Sequence, residues 1–396
     1  MLFSVVIPTH NRLHLLRDAL ETIRRQSKTW EVVVFDNAST DPVAEYVRSL
    51  GDARIRYARS DCFLSVTESW NNAIERAEGD YVILLGDDDG LAPNYFSKVE
   101  QIITEFGHPD IVYSDFYQFW HAGVAPWQPA AHLVSIKHGF FFVDRQQPFK
   151  MTAEQARHAV VGSLTFRINF SFNSQTFLYR RAFLTSLRSD GPIYRSPFPD
   201  YYIANVALAR SRSTIVVPEP LAVAGISKAS YGFTLYNGQE QRGDELLNTK
   251  LADDLVFRDI ESVLLPGPSY NTNFAVAMEY VARATQKEIG EQVDFQRYRH
   301  LQILAVLRDY CCGSPRGALW ANMRGRLSAF ERIWARGLRL AIYGSQWFPV
   351  VKRQVSPRLD RLASLSGFDP MARSFGRSDY RNVIDVYDAL AEGRLD

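Results

Sequence analysis

The sequence predicts an α/β fold: a mostly parallel sheet flanked by helices, with a helical region at the C-terminal end. Three features carry that prediction. Apolar, β-rich runs alternate with helical stripes over the first 115 residues. Polar clusters follow three of those runs, where open α/β sheets gather ligands. Beyond about residue 240 the apolar spacing is helical throughout. The expected division is therefore 1–240, the sheet domain, and 241–396, the helical region.

Leu2–Ile7 is the first strand, stopped by Pro8, and Leu13, Leu16, Leu20 and Ile23 recur at helical spacing. Val32-Val33-Val34 marks a buried strand that ends at Asp36-Asn37. Ser39-Thr40-Asp41-Pro42 then has the form of a helix start, with a capping side chain ahead of a proline. Arg54–Ala58 is a weaker strand, and Val66, Trp70, Ala73, Ile74 and Ala77 form a second helical stripe. Tyr81–Leu85 is an all-apolar strand ending at Gly86. A helix over Pro93–Phe106 and a strand at Ile111–Tyr113 follow. Apolar strands alternating with helices argue for a sheet covered on both faces.

Residues 116–172 are rich in aromatics, among them Phe116, Trp120, Trp127 and Phe140, without a clear period, and read as an insertion that walls a pocket. Phe172–Tyr179 is a strand, Tyr201–Ala209 a helix, and Ser213–Val217 a strand ended by Pro218-Glu219-Pro220. Helices are expected over 246–265, 272–288, 294–311, 318–343 and 380–392.

Composition excludes several classes. The 25 Phe, 19 Tyr and 7 Trp supply too much apolar surface for a disordered chain. Three cysteines, two adjacent (Cys311, Cys312), do not make a disulfide scaffold and favour a reducing compartment. No apolar run approaches the ~18 residues of a spanning helix. Met1–Pro8 lacks a basic n-region and a cleavage site, so no signal peptide is expected. The net charge of +1 hides an uneven spread: residues 316–361 hold ten Lys/Arg against Glu331 and Asp360. Mixed with Trp320, Phe330, Trp334 and Trp347, these charges read either as a membrane-surface helix or as a docked helix with its arginines in solvent. Nucleic acid is not expected as a partner, because the basic stretch is confined to the tail and no nucleic-acid fold signature accompanies it.

The strongest chemical signal is Leu85-Gly86-Asp87-Asp88-Asp89. Adjacent carboxylates repel, so a strand end carrying three calls for a compensating cation. Oxygen ligands suit Mg²⁺ or Mn²⁺, and Mg²⁺ is usually held by one or two carboxylates together with substrate phosphates. His10 and His14 lack an accompanying carboxylate pattern and are read as non-metal.

Together with that segment, Val6-Ile7-Pro8-Thr9-His10-Asn11-Arg12, Val34-Phe35-Asp36-Asn37-Ala38-Ser39-Thr40-Asp41, Trp70-Asn71-Asn72-Ala73 and Ala77-Glu78-Gly79-Asp80-Tyr81 stand in an order and spacing that resemble the family-2 nucleotide-sugar glycosyltransferases of the GT-A fold, over roughly residues 1–230. The resemblance implies that Pro8, Thr9, Asn11 and Arg12 line the nucleotide pocket, with Asn72 joining them, and that Asp36 faces the base. It implies that Asp87 reaches the ribose or donor sugar, that Asp88 lies near the donor sugar or metal, and that Asp89 is the principal metal ligand, with Asp87 as its companion. The donor would be a UDP, dTDP or GDP sugar, the ion Mn²⁺ or Mg²⁺, and the acceptor a glycan or lipid-linked glycoconjugate. That chemistry would run in the cytoplasm or at the inner face of the cytoplasmic membrane, against anionic lipid.

Inverting transfer needs a base for the acceptor hydroxyl. The resemblance assigns this to Asp200 in Pro197-Phe198-Pro199-Asp200-Tyr201, where the family often has Glu-Asp; Asp190 and Asp115 are the reserves, and a plain helix cap is the competing reading. Lys228, in the segment after the last strand, could neutralise the leaving phosphate. Gly225 and Gly232 would allow that segment to close. The helical region could serve a homodimer. The alternatives are a nucleotidyltransferase on a related sheet and a sugar-nucleotide-binding scaffold without turnover. The absence of glycine from Pro8–Arg12 counts against the first and against a dinucleotide-dependent dehydrogenase.

Overall fold

The structure, a computed structural model, describes residues 1–126, 128–135, 141–142, 145–167, 170–347, 373–375 and 380–394. Trp127, Phe140 and the basic residues Lys352, Arg353, Arg358 and Arg361 therefore lie outside the described residues.

Among the described residues one sheet contains β1 (Phe3–Thr9), β2 (Trp30–Asp36), β3 (Ile55–Arg59), β4 (Tyr81–Leu84), β5 (Gly90–Leu91), β6 (Ile111–Trp120), β7 (His132–Ser135), β8 (Phe149–Lys150), β9 (Phe177–Arg180), β10 (Thr214–Ile226) and β11 (Arg373–Phe375). The order is β11-β7-β6-β9-β4-β1-β2-β3, with β10 paired to β6, β5 and β8. The strands β3-β2-β1-β4 run parallel, in a register that sets Val5 beside Val32 and Ile83. β9 is inserted antiparallel between β4 and β6, and β10 lies parallel to β6. The sheet is thus mixed, with the predicted parallel strands forming one half.

Two strands run further than the sequence suggests. β6 takes in Phe116–Trp120, which lacked a readable period because Phe116, Phe119 and Trp120 are all buried. β10 continues through Pro218 and Pro220. Its register against β6 shifts between Val217 and Pro220 and again before Ala222, so both prolines fall at irregularities where the ladder is interrupted. Asp41, read as a helix cap, accepts from the Leu13 amide at 2.9 Å instead, while the helix Val43–Ser49 starts from Pro42 without a side-chain cap.

The chain divides into two compact units. The first comprises Met1–His158, Phe170–Lys250 and Asp369–Asp396; the second comprises Ala159–Asn169 and Leu251–Phe368. A single cut at residue 240 is thus crossed twice, by residues 159–169 and by the C-terminal helix Val383–Ala391. In the first unit Val5, Ile7, Leu16, Leu20, Val32, Val34, Ile83 and Phe96 form the core. Val383 and Val386 pack with Phe119, Leu133 and Val223, and Arg25 pairs with Asp388 at 2.6 Å.

In the second unit Ile303, Leu307, Trp320, Met323, Ala335, Leu338 and Ile342 form a core. The helix expected over 246–265 is broken: Glu240–Leu247 ends at Asn248 in the left-handed region (φ 47°) and a new helix spans Leu255–Ile260. The helix expected over 318–343 is likewise two, Leu319–Arg324 and Ala329–Trp347. Residues 325–328 separate them. The Ser328 amide donates to Glu331 at 2.8 Å and the Glu331 amide to Ser328 Oγ at 3.2 Å, a reciprocal cap that starts the second helix. No helix among the described residues is long and apolar enough to cross a membrane.

Candidate active site

A cavity of about 420 Å³ opens in the first unit, where the ends of β1, β4 and β10 meet the start of the helix Pro199–Arg210. Its walls include Pro8, Thr9, Arg12, Asp87, Asp88, Asp89 and Asp200. The sheet explains the convergence, since parallel β1 and β4 deliver their following turns to the same rim.

The three aspartates are all buried, and each has its own partners. Asp87 accepts from Thr9 Oγ1 at 2.7 Å and from Arg12 Nη1 at 3.0 Å. Asp88 Oδ2 accepts from Ser227 Oγ at 3.3 Å and from Ser230 Oγ. Asp89 closes a turn: Oδ2 accepts from the Gly86 amide and Oδ1 from the Gly225 amide, both at 2.9 Å. Burial pushes the Asp87 carboxyl up against the pull of Arg12. Burial and then the neighbouring Asp88 charge push Asp89 well above the usual carboxylate range. Burial also works against the Arg12 charge, but Asp87, Asp88 and Asp89 more than offset it, and its pKa rises.

A Cβ placed on Gly86 would lie 2.6 Å from Asp89 Oδ2 and 3.2 Å from Asp88 Oδ1, so two carboxylate oxygens border the cradle that the glycine leaves open. Two carboxylates with phosphate oxygens are a normal Mg²⁺ set, and the residues fit on that basis. All three carboxylates already accept hydrogen bonds, and Asp88 and Asp89 are the pair whose oxygens border the Gly86 cradle. No cluster of three or more His, Cys, Asp or Glu side chains spaced for a metal occurs among the described residues.

Asp200 stands in the first turn of its helix, but it is not the cap; Phe198 holds that position and Pro199 the next. The residue is half-buried, and its Oδ1 is buried without a hydrogen-bond partner among the described residues. Burial raises its pKa to about 7. Tyr194 and Tyr201 lie within its electrostatic reach. The reserves are elsewhere engaged: Asp190 pairs with Arg210 at 2.8 Å, and Asp115 Oδ1 accepts from the Phe116 amide.

Four predicted residues are not on the cavity wall. Asp36 is fully buried; its oxygens accept from the Ser39 amide, Tyr57 Oη and Arg59 Nη1, each at 2.7 Å, so it organises the loop after β2. Asn11, left-handed at φ 54°, accepts from Thr40 through Oδ1. Asn72 donates to the Glu68 carbonyl. Lys228 lies against Gly123, where a Cβ would be 3.1 Å from Nζ. Gly225 also has a different part from the one expected. A Cβ there would come within 1.7 Å of the Asp88 carbonyl oxygen, so this glycine permits close approach of β10 to the acidic turn.

Several wall residues escaped the sequence reading. His10 stacks on Phe63 with centroids 4.1 Å apart and bonds the Asn37 carbonyl through Nδ1 at 2.6 Å. Gln118 comes from β6, Gln175 from the turn before β9, and Tyr231 and Tyr236 from the helix Tyr231–Tyr236. Isolated polar and aromatic residues in an aperiodic stretch carry no spacing signal; the cavity identifies them only through the fold.

Comparison with known proteins agrees with the motifs. Residues 4–167 match the model described as glycosyl transferase family 2. A stretch of 110 residues is 33% identical to the Escherichia coli (strain K12) protein WcaA, provisionally described as a colanic acid biosynthesis glycosyl transferase, covering 26% of this chain and 39% of that one. Another 106-residue match is 34% identical to the GalNAc(5)-diNAcBac-PP-undecaprenol beta-1,3-glucosyltransferase of Campylobacter jejuni subsp. jejuni serotype O:2, covering 26% of this chain and 34% of that one. The chain thus spans well under half the length of these curated relatives. S. aureus TarS 1–349 in complex with UDP-GlcNAc superposes with a TM-score of 0.47 at 16% identity, over 96% of this chain and 100% of that one.

Proposed function

We infer, from a chain whose residues 4–167 belong to glycosyl transferase family 2, that this protein moves a sugar from a nucleotide-diphosphate sugar to a hydroxyl of a glycan or lipid-linked acceptor, with inversion. The observation that carries the reading is the meeting, on one cavity wall, of a buried acidic turn with half-buried Asp200, whose Oδ1 is buried and has no hydrogen-bond partner among the described residues. Relatives named for colanic acid biosynthesis and for glucosyl transfer to a GalNAc(5)-diNAcBac-PP-undecaprenol support the acceptor class. A lipid-linked acceptor would bring the reaction to a membrane surface.

The roles follow from the chemistry of each group. Asp200 takes the proton of the acceptor hydroxyl as that oxygen attacks the anomeric carbon and the bond to the diphosphate breaks. A base with a pKa of about 7 suits that task near neutral pH. Asp88 and Asp89 would hold Mn²⁺ or Mg²⁺, which when bound supplies positive charge for the leaving diphosphate. Arg12 holds Asp87 in place at 3.0 Å and adds a cation to the same wall. Thr9 fixes the other Asp87 oxygen.

The test is a panel of UDP, dTDP and GDP, each with Mn²⁺ and with EDTA, read by thermal unfolding, followed by product analysis with the matching nucleotide sugars. One nucleotide should stabilise in a Mn²⁺-dependent way, and its sugar should appear in the product with inverted configuration. Stabilisation without hydrolysis or transfer to any acceptor would favour the scaffold; a retained configuration would refute the single displacement.

A further inference from the structure

We propose that the outer face of the helix Ala329–Trp347 is a docking surface for an anionic lipid bilayer. This helix has two apolar faces. Ala335, Leu338 and Ile342 are buried in the core of the second unit, and Glu331 on the same side is buried as well. Phe330, Ile333 and Leu340 are 63%, 69% and 74% exposed. At roughly 100° per residue the two sets lie on opposite sides of the helix, and Phe330 and Leu340 are about 15 Å apart along its axis. Gly337 lies between Ile333 and Leu340 in the sequence, and a Cβ there would meet nothing within 4 Å, so the face is open at that point as well. The docked-helix reading accounts for the inner face and leaves the outer one unexplained.

Charge selects the occupant. Arg324, Arg326, Arg332, Arg336 and Arg339 are all exposed on or beside this helix. The single acid between residues 319 and 347, Glu331, points inward and is neutralised by Arg299, with Nε–Oε1 at 2.7 Å and Nη2–Oε2 at 2.8 Å. The outer surface is therefore apolar side chains beside exposed arginines that make no carboxylate pair among the described residues, Arg339 lying over the Tyr310 and Tyr343 rings, the composition of an interfacial helix. A second copy docking through the same face would set arginine against arginine in an isologous contact. A nucleic acid would engage the arginines and leave the apolar side chains unused. An anionic bilayer takes both at once, the rings and aliphatic groups entering the headgroup boundary and the guanidinium groups meeting lipid phosphate.

The test is flotation of the full chain with phosphatidylcholine vesicles with and without phosphatidylglycerol, at low and high salt. This readout needs no sugar donor, so its failure and the failure of the transferase reading are distinguishable. The protein should float with the anionic vesicles, remain behind with phosphatidylcholine alone, and be released by salt. Phe330→Ser/Ile333→Ser/Leu340→Ser should keep the wild-type unfolding temperature, because all three side chains are exposed, and should lose at least about tenfold in vesicle affinity. Arg332→Gln and Arg336→Gln should each cost roughly fivefold. Absence of flotation at low salt overturns the proposal, as does undiminished flotation of the triple variant. A dimer that the triple substitution dissociates, with flotation unchanged, would assign the face to a second copy. Salt-sensitive binding of duplex DNA that the triple variant retains, in a protein that does not float, would assign the arginines to nucleic acid.

Discussion

The main-chain oxygen of Asp88 occupies the place where a side chain on Gly225 would begin; a Cβ at Gly225 would lie 1.7 Å from it. The Gly225 amide also donates to Asp89 at 2.9 Å. The acidic turn after β4 and the end of β10 are thus a single construction, and the geometry of the carboxylates depends on a glycine 136 residues away.

Gly225→Ala should therefore force β10 and the acidic turn apart. Overpacking of this kind costs about 1–3 kcal/mol. The variant should unfold at a lower temperature and lose nucleotide binding, measured by calorimetry and thermal unfolding, whereas Gly337→Ala, inside a helix and facing open space, should leave nucleotide binding unchanged and raise the unfolding temperature slightly.

Asp89→Ala should abolish the difference between nucleotide affinity in Mn²⁺ and in EDTA. Titration of the stabilising nucleoside diphosphate in both buffers measures it. A Mn²⁺ effect of wild-type size in the variant would remove Asp89 from the ion's ligands.

Asp200 should destabilise the fold at neutral pH. Its folded pKa, about 7, lies above the ordinary value of 3.8. The folded state then keeps a proton that the unfolded state has lost between those values, so stability falls as pH rises through that window. Asp200→Asn should raise the unfolding temperature at pH 8 by an amount on the order of a few kcal/mol in stability, and the gain should fade as pH drops toward 4.

Glu331 has the opposite sign. Arg299 holds its carboxyl down to about 2. The ion pair contributes fully above the ordinary value of 4.5, and the contribution is lost as pH falls toward 2. Glu331→Gln should lower the stability of the second unit by about 1–3 kcal/mol at pH 7, with little effect near pH 2, as followed by urea unfolding.

The sheet half β1–β4 was legible because its strands are apolar and evenly separated by helical stripes. The acidic turn and Thr9 were legible because strand ends in such sheets face a ligand. The part Asp36 plays in organising its loop is not legible, because a sequence does not show that Tyr57 and Arg59, from β3, turn back onto it. β6 was cut short because rings buried on both faces leave no alternation to read. Ser328 and Glu331 did carry a signal, a serine three residues before a glutamate, and it marks where one expected helix is two. The outer face of Ala329–Trp347 could not be told from its inner face by composition alone, since both are apolar and the arginines lie between them.

The most direct test of the central claim is the transfer rate of Asp200→Asn, measured alongside its affinity for the stabilising nucleoside diphosphate. The variant should keep wild-type affinity with a rate lower by about 10²–10⁴-fold, and the wild-type rate should rise with pH through about 7. A variant that transfers sugar at the wild-type rate would contradict that claim.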